Sequence, residues 1–167
     1  MAIEPISLVQ LQSLHELERL NADFCYFLDH NQVSDLVGLF TEDAYYQHGP
    51  RISEGRKAIG EIFERRVSGS VRTARHLQSG LRIEFLDEYR ATGQSVCATF
   101  AANEAPPVAT TDIHLVADFE DEYQKGEDGR WRIRRREIRR IFVHESNLAP
   151  VSFGINEDKE KIEGIDP

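Results

Sequence analysis

Apolar side chains recur at three- and four-residue spacing from Leu14 onward: Leu14, Leu17, Leu20, Phe24 and Phe27/Leu28. That period predicts one face of a long amphipathic helix. His30-Asn31 interrupts it. Ser34 is placed to cap a second, short helix carrying Leu36, Val37 and Phe40. Residues 1–13, which include Pro5, read as a loose arm. Thr41, Glu42 and Asp43 form a polar stop, residues 43–48 alternate as a strand, and Gly49-Pro50 turns the chain. Ile59, Ile62, Phe63 and Val67 then predict a third helix over 57–67, ended by Ser68-Gly69-Ser70.

Beyond this point the period changes to two. Residues 75–86 read as a strand with Leu77, Leu81, Ile83 and Phe85 as its apolar positions and Gly80 as a bulge. Residues 91–102 read as a strand with Val96, Ala98 and Phe100 on one face. Pro106-Pro107 makes 103–112 a loop. Residues 113–124 alternate Ile113, Leu115, Ala117 and Phe119 against His114, Val116 and Asp118. A hairpin turn at 127–130 leads into a last strand, 131–143. Its apolar register runs Trp131 and Ile133, then Ile138, Arg140 and Phe142, so a bulge is expected near 135–137.

Helices followed by a meander of long strands predict an α+β fold. The expected form is a curved, antiparallel (mixed) sheet, shaped as a cone and covered by three N-terminal helices. Residues 1–145 form one expected domain. Residues 146–167 read as a tail, either mobile or laid on a neighbouring subunit.

The chain has 167 residues, 40% of them hydrophobic and 29% charged, which suits a single globular domain. Its formal charge of −9 argues against general binding to nucleic acid or anionic membranes. The basic run from Arg132 to Arg140 lies on an alternating strand, so its arginines divide between two faces and pair with neighbouring acids. No apolar run approaches the roughly 20 residues needed to span a bilayer. Glu4 and the lack of a basic opening stretch differ from a signal peptide. Cys25 and Cys97 stand in no CxxC pattern and read as reduced thiols of a cytoplasmic protein. The six histidines show no metal-ligand spacing, and no phosphate-binding glycine loop or nucleophile motif is present. No cofactor is implied.

The strings FLDHNQVSDLVGLFTEDAYY, GRKAI, RHLQSG and DGRWRI, in that order, resemble the SnoaL-like branch of the nuclear-transport-factor-2-like superfamily. The resemblance covers about residues 10–145. It implies the same cone fold, dimers or larger homo-oligomers, and a range of activities from cyclases, dehydratases and isomerases to non-catalytic binders. Asp29 resembles the helix-end aspartate of the scytalone dehydratase, bile-acid dehydratase and hexachlorocyclohexane dehydrochlorinase group. His76 resembles that group's catalytic histidine, and Arg140 an arginine near the end of the last strand in the latter two enzymes. Tyr45 or Tyr46 resembles a water-binding tyrosine of the scytalone enzyme. Phe24 and Leu28 depart from the pattern, standing where those enzymes carry polar side chains on the first helix.

The chemistry these residues would support is proton abstraction. A carboxylate fixes the tautomer of a histidine so that one nitrogen faces the substrate as a base. An arginine or tyrosine would stabilise the oxyanion left beside a carbonyl. The expected roles are His76 as base, Asp29 as its partner, Arg140 as polariser and Tyr46 as acid. Phe24, Tyr45, His114 and Phe142 are expected to line the substrate pocket, which would take a small hydrophobic, cyclic or aromatic molecule. Each residue also has a structural reading: Asp29 as an exposed helix end, His76 as an exposed strand start, Arg140 as a partner of Glu137, His48 at the rim of the cone. The functional alternative is a non-catalytic ligand-binding or assembly module, resembling the small subunit of ring-hydroxylating oxygenases.

Overall fold

The structure is a computed structural model, and it describes residues 6–69, 71–109 and 112–144. The first helix, α1, runs Leu8–Asp29, so the expected loose arm is helical from Leu8 onward. Its start is set by a capping box: Ser7 Oγ accepts from the Gln10 amide, and Gln10 Oε1 accepts from the Ser7 amide. Asn31 takes a left-handed conformation, φ 57°, which ends the helix where its apolar period stops. Helix α2, Val33–Gly38, begins one residue before the expected Ser34 cap, with Gln32 at its N-cap. Strand β1, Phe40–His48, includes the expected polar stop. A short strand β2, Arg51–Glu54, precedes helix α3, Arg56–Ser68. Strands β3 (Thr73–Phe85), β4 (Arg90–Ala102), β5 (Ile113–Lys125) and β6 (Trp131–Val143) complete the fold.

The six strands form one curled sheet in the order β2-β1-β6-β5-β4-β3. Strands β1 and β6 are parallel and all other neighbours antiparallel. The N-terminal helices cover the concave face. There α1 contributes Leu17, Leu20, Phe24 and Leu28, and α3 contributes Ile59 and Phe63. Phe24 is the hub of the core, edge-to-face with Phe40, Phe63 and Phe119 at 6.1, 6.5 and 6.3 Å. Such pairs each add about 0.5–1.5 kcal/mol beyond area burial.

Three bulges decide which side chains enter the core. Gly80 (φ 65°) lies within a register shift between Ser79 and Arg82 on β3. Before it the inner face carries Ala74, His76 and Gln78, and after it Leu81, Ile83 and Phe85. Leu77 is therefore exposed, not part of the inner apolar set. On β6 the first shift places Tyr123 opposite Ile133 and Glu122 opposite Arg135, so Arg134 is the extra residue, just before the expected bulge. A second shift falls at Ile141. Strand β4 turns its smaller residues inward: Ala91, Gly93, Ser95, Cys97, Thr99 and Ala101. A Cβ at Gly93 would lie 2.7 Å from the Tyr123 ring, so the concave face has no room for larger groups here. Val96, Ala98 and Phe100 share one face, as expected, and that face is the outward one.

The register aligns Leu77, Ala98, Val116 and Phe142 in one row across the outer face of β3–β6. With Val96 and Ile113 they make an apolar strip, in which Phe142 is 68% exposed. No helix among the described residues is long and apolar enough to cross a membrane.

Candidate active site

Asp29 is the last residue of α1. A carboxylate there faces the negative end of the helix dipole, which is unfavourable in isolation. Its partner is His76 on the inner face of β3. Asp29 Oδ2 accepts from the His76 backbone amide at 2.8 Å, and Oδ1 lies 2.6 Å from His76 Nδ1. The side chains are 5% and 13% exposed. One carboxylate thus holds both the strand and the ring. With Asp29 ionised, Nδ1 carries the proton in this bond and Nε2 is left with its lone pair.

Tyr46 and Tyr45 take opposite faces of β1. Tyr46 points inward, 5% exposed, with its ring against Phe40 and Phe63. Burial pushes its hydroxyl up to about 12, so it stays protonated and is suited to donate. Tyr45 does not join this site. Its hydroxyl donates to Gln47 Oε1, and the Arg135 guanidinium stacks over its ring at 4.0 Å.

Two residues beyond Tyr46, on the same inward face, His48 is partly buried and not simply a rim residue. Its Nε2 is shielded from water and has no hydrogen-bond partner among the described residues. Burial, then the charges of Arg140, Arg51, His76 and Arg66, lower its pKa to about 3. The imidazole is therefore neutral in the folded chain. In the unfolded chain it protonates near the ordinary value of 6.5. Its burial adds full stability above pH 6.5, and that contribution drains away as pH falls toward 3. Thermal melts from pH 7 to 4 should show a smaller loss of Tm in His48→Gln than in the parent chain. Equal slopes would contradict the assignment.

Arg140 packs its guanidinium over the turn after His48, where a Cβ on Gly49 would come within 3.0 Å of Cζ. It does not form the expected pair with Glu137, which Arg135 engages instead. Arg66 enters from α3 and, with Phe27, Leu28, Val33 and Phe63, lines a closely packed seam that leaves no room for a water molecule. Neither His48 nor Arg66 was singled out from the sequence as a site residue. The signals were present: His48 shares the face of Tyr46, and Arg66 follows Ile59 and Phe63 at i+7 and i+3 on the apolar side of α3.

Two of the remaining expected wall residues, Phe24 and Phe142, lie elsewhere. Phe24 is fully buried, and the Arg136 guanidinium stacks on it at 4.2 Å, so it belongs to the closed core. Phe142 is on the outer strip, because the Ile141 bulge reverses the end of β6. His114 sits at the register shift between β4 and β5, and its carbonyl accepts from the His144 amide.

A larger groove, about 420 Å³, runs along the outer sheet face between Arg82, Gln94, Glu120, Glu122, Arg135 and Glu137. It touches neither Asp29 nor His76. Inside the cone, Arg136 and Asp121 form an ion pair with both side chains 0% exposed. Asn21 and Tyr123 complete that network: Tyr123 donates to Asp121 at 2.6 Å, and Asn21 accepts from Arg136. Asn21 also donates to the Tyr123 hydroxyl at 2.8 Å.

A family model described as a SnoaL-like domain matches residues 9–137. The chain belongs to the SnoaL-like family. Solved structures with a similar fold include a scytalone dehydratase candidate from Novosphingobium aromaticivorans. It is 27% identical, with a TM-score of 0.72 over 81% of this chain and 89% of that one. A variant of Rv3472, a protein of unknown function from Mycobacterium tuberculosis, is 24% identical, with a TM-score of 0.71 over 88% and 87%. The hexachlorocyclohexane dehydrochlorinase LinA-type3 from Novosphingobium barchaimii is 18% identical, with a TM-score of 0.69 over 82% and 92%. The last two likenesses concern the fold. No curated protein matches the chain in sequence.

Proposed function

We propose that this SnoaL-like protein is a lyase, isomerase or cyclase that needs no cofactor and acts on a small hydrophobic, cyclic or aromatic molecule. The observation that carries the reading is the double grip of Asp29 on His76, which leaves Nε2 as the free ring nitrogen. His76 Nε2 takes a proton from carbon next to a carbonyl. The electron pair moves onto the carbonyl oxygen, where the Tyr46 hydroxyl or the Arg140 guanidinium receives it. The enolate then expels a β-leaving group, is reprotonated at another carbon, or attacks a second carbonyl. These are the outcomes of a dehydratase, an isomerase and a cyclase. The dehydratase candidate and the dehydrochlorinase among similar structures lend support to the first. A panel of cyclic ketones in D2O, followed by NMR, tests the reading. Deuterium should enter at the acidic carbon with the parent chain and stay at the buffer rate with His76→Ala.

A second reading, an assembly module without catalysis, draws on the filled cone, where Phe24, Phe119 and Arg136 occupy the interior. It predicts no exchange with any ketone of the panel. Under either reading we place a second copy of the chain on the outer apolar strip, since a twofold contact would bring Phe142, Leu77 and Val96 against their own counterparts. Asp118–Arg139 and Arg139–Glu120 ion pairs would then form its polar rim. Phe142→Glu should convert the oligomer to monomer in analytical ultracentrifugation. An unchanged mass would contradict the placement.

A further inference from the structure

We propose that Cys25 and Cys97 form a redox-sensitive pair directly behind Asp29 and His76, which hydrogen peroxide closes into an intramolecular disulfide that shifts the Asp29 carboxylate. They are the two cysteines of the chain, and both are free and buried in one core cluster. Cys25 lies on α1 one turn before Asp29, so the two share a helix face. Cys97 lies on the inner face of β4. Gln78 of β3 links them. Its Oε1 is 3.7 Å from Cys25 Sγ, and its backbone stands opposite Cys97 in the β3–β4 register. Inward side chains so paired have Cβ atoms about 5 Å apart. Gln78 Nε2 donates to Ser95 Oγ at 2.6 Å and to Asn21 Oδ1 at 3.2 Å. Ser95 is the inward neighbour of Cys97 on β4, and Asn21 precedes Cys25 by one turn of α1. Helix α1 therefore crosses this pair of strands with Cys25 beside Cys97, and the two thiols hydrogen-bond to each other. The next rung repeats the arrangement. There Asp29 of α1 meets His76 of β3, and His76 is paired with Thr99 of β4.

The hydrogen bond between the thiols raises Cys25 and lowers Cys97, and the Thr99 hydroxyl lowers Cys97 further against the effect of burial. Cys97 is thus the thiol that ionises first. Its thiolate attacks one oxygen of the peroxide, the O–O bond breaks, and the departing hydroxide takes up a proton as water. The sulfur is left as a sulfenic acid. Cys25 then attacks that sulfur, and its proton leaves with the hydroxyl as a second water. Two thiols and one peroxide give one disulfide and two waters. The thiols are 8% and 1% exposed, so local opening admits a small oxidant and excludes larger ones. A disulfide sets its sulfurs about 2.05 Å apart, closer than two thiols in contact. Closing it draws α1 toward β4. Asp29, one turn along the same helix, moves with it, and its grip on His76 changes.

The test treats the folded full chain with hydrogen peroxide, alkylates the remaining thiols in denaturant and digests with trypsin. The parent chain should lose both alkylatable thiols. It should yield one linked pair of peptides, 20–51 with 91–125, that separates when the digest is reduced. Cys25→Ser and Cys97→Ser should give no link within the chain. The imidazole 1H–15N signals of His76 should shift in the oxidised parent and stay in place in both peroxide-treated serine variants. Circular dichroism identifies a variant that fails to fold, and the other then serves as the control. Thiols that remain free overturn the proposal, as does oxidation of one thiol to a sulfinic acid with the other untouched. A link between two chains in place of the internal one does so too. An internal disulfide that leaves the His76 signals unchanged also overturns it, because the bond then has no hold on the site. Failure here is distinct from failure of the catalytic reading. The disulfide can close in a chain that exchanges no deuterium, and exchange can occur in a chain whose thiols stay free.

Discussion

Asp29→Asn is expected to lower turnover by about 10²–10⁴-fold, about 3–5 kcal/mol of transition-state stabilisation. The substitution keeps size and shape but removes one acceptor. Asp29 presents two oxygens, one to the His76 amide and one to Nδ1. An asparagine offers one oxygen and one NH2 group. If its oxygen keeps the backbone amide, its NH2 faces Nδ1 and drives the ring to the tautomer with the proton on Nε2. The base is then blocked, although the ring stays in place. His76→Ala should cost a similar factor, and the double variant little more than either single one, because the two residues act as a unit. Steady-state kinetics on the first ketone that exchanges deuterium checks all three. Additive losses would show that Asp29 and His76 act separately.

The second large effect concerns stability. Asp121→Ala should destabilise the fold by about 3–5 kcal/mol, because it leaves the Arg136 charge buried without its counter-ion. Both side chains are fully enclosed. Arg136 donates to both oxygens of Asp121 at 2.8 and 2.7 Å and lies over the rings of Phe24 and Phe119. Tyr123 loses its acceptor in the same step. Against a typical total of about 5–15 kcal/mol this is a large fraction, and a fall in Tm on the order of 10 °C is expected. The paired change Asp121→Leu with Arg136→Met should recover most of it, since apolar groups of similar size need no counter-ion. Thermal and urea unfolding of the three proteins measure this directly. A small effect of Asp121→Ala would mean that water or another group reaches Arg136.

The elements most legible in the sequence were those with one dominant period. The apolar stripe Leu17, Leu20, Phe24 and Leu28 located α1, and Trp131 to Val143 located β6. The start of α1 was hidden because its first turns are exposed apolar residues, Leu8, Val9 and Leu11, and because the signal there is the Ser7 cap. Faces were harder to read than elements. On β4 the outward positions Val96, Ala98 and Phe100 are more apolar than the inward Gly93, Ser95 and Thr99, so alternation groups them on one face without saying which face is inward. The inner face is small because Tyr123 fills the space above Gly93. A one-residue bulge reverses everything beyond it. The Gly80 bulge turns His76 inward and Leu77 outward, and the one at Ile141 takes Phe142 out of the site. Arg136 was not legible as a core residue, because the acid that neutralises it, Asp121, comes from the neighbouring strand.

The candidate site divides the same way. Asp29 and His76 were found through the helix end and the RHLQSG string, and the fold brings them to hydrogen-bonding distance. Tyr46 and Arg140 reach the same end of the cone around His48. Phe24 and Tyr45 were brought in by the family resemblance and Phe142 by its place on the last strand, and core packing, strand parity and the Ile141 bulge put each of them elsewhere.

Asp29 is expected to hold His76 with its proton on Nδ1 and its lone pair on Nε2. Long-range 1H–15N NMR of the imidazole rings at pH 8, in the parent chain and in Asp29→Asn, tests it without a substrate. The expected result is a protonated Nδ1 and an unprotonated Nε2 for His76 in the parent chain, and the opposite tautomer or a mixture in the variant. A proton on Nε2 in the parent chain, or identical spectra in the two proteins, would contradict it.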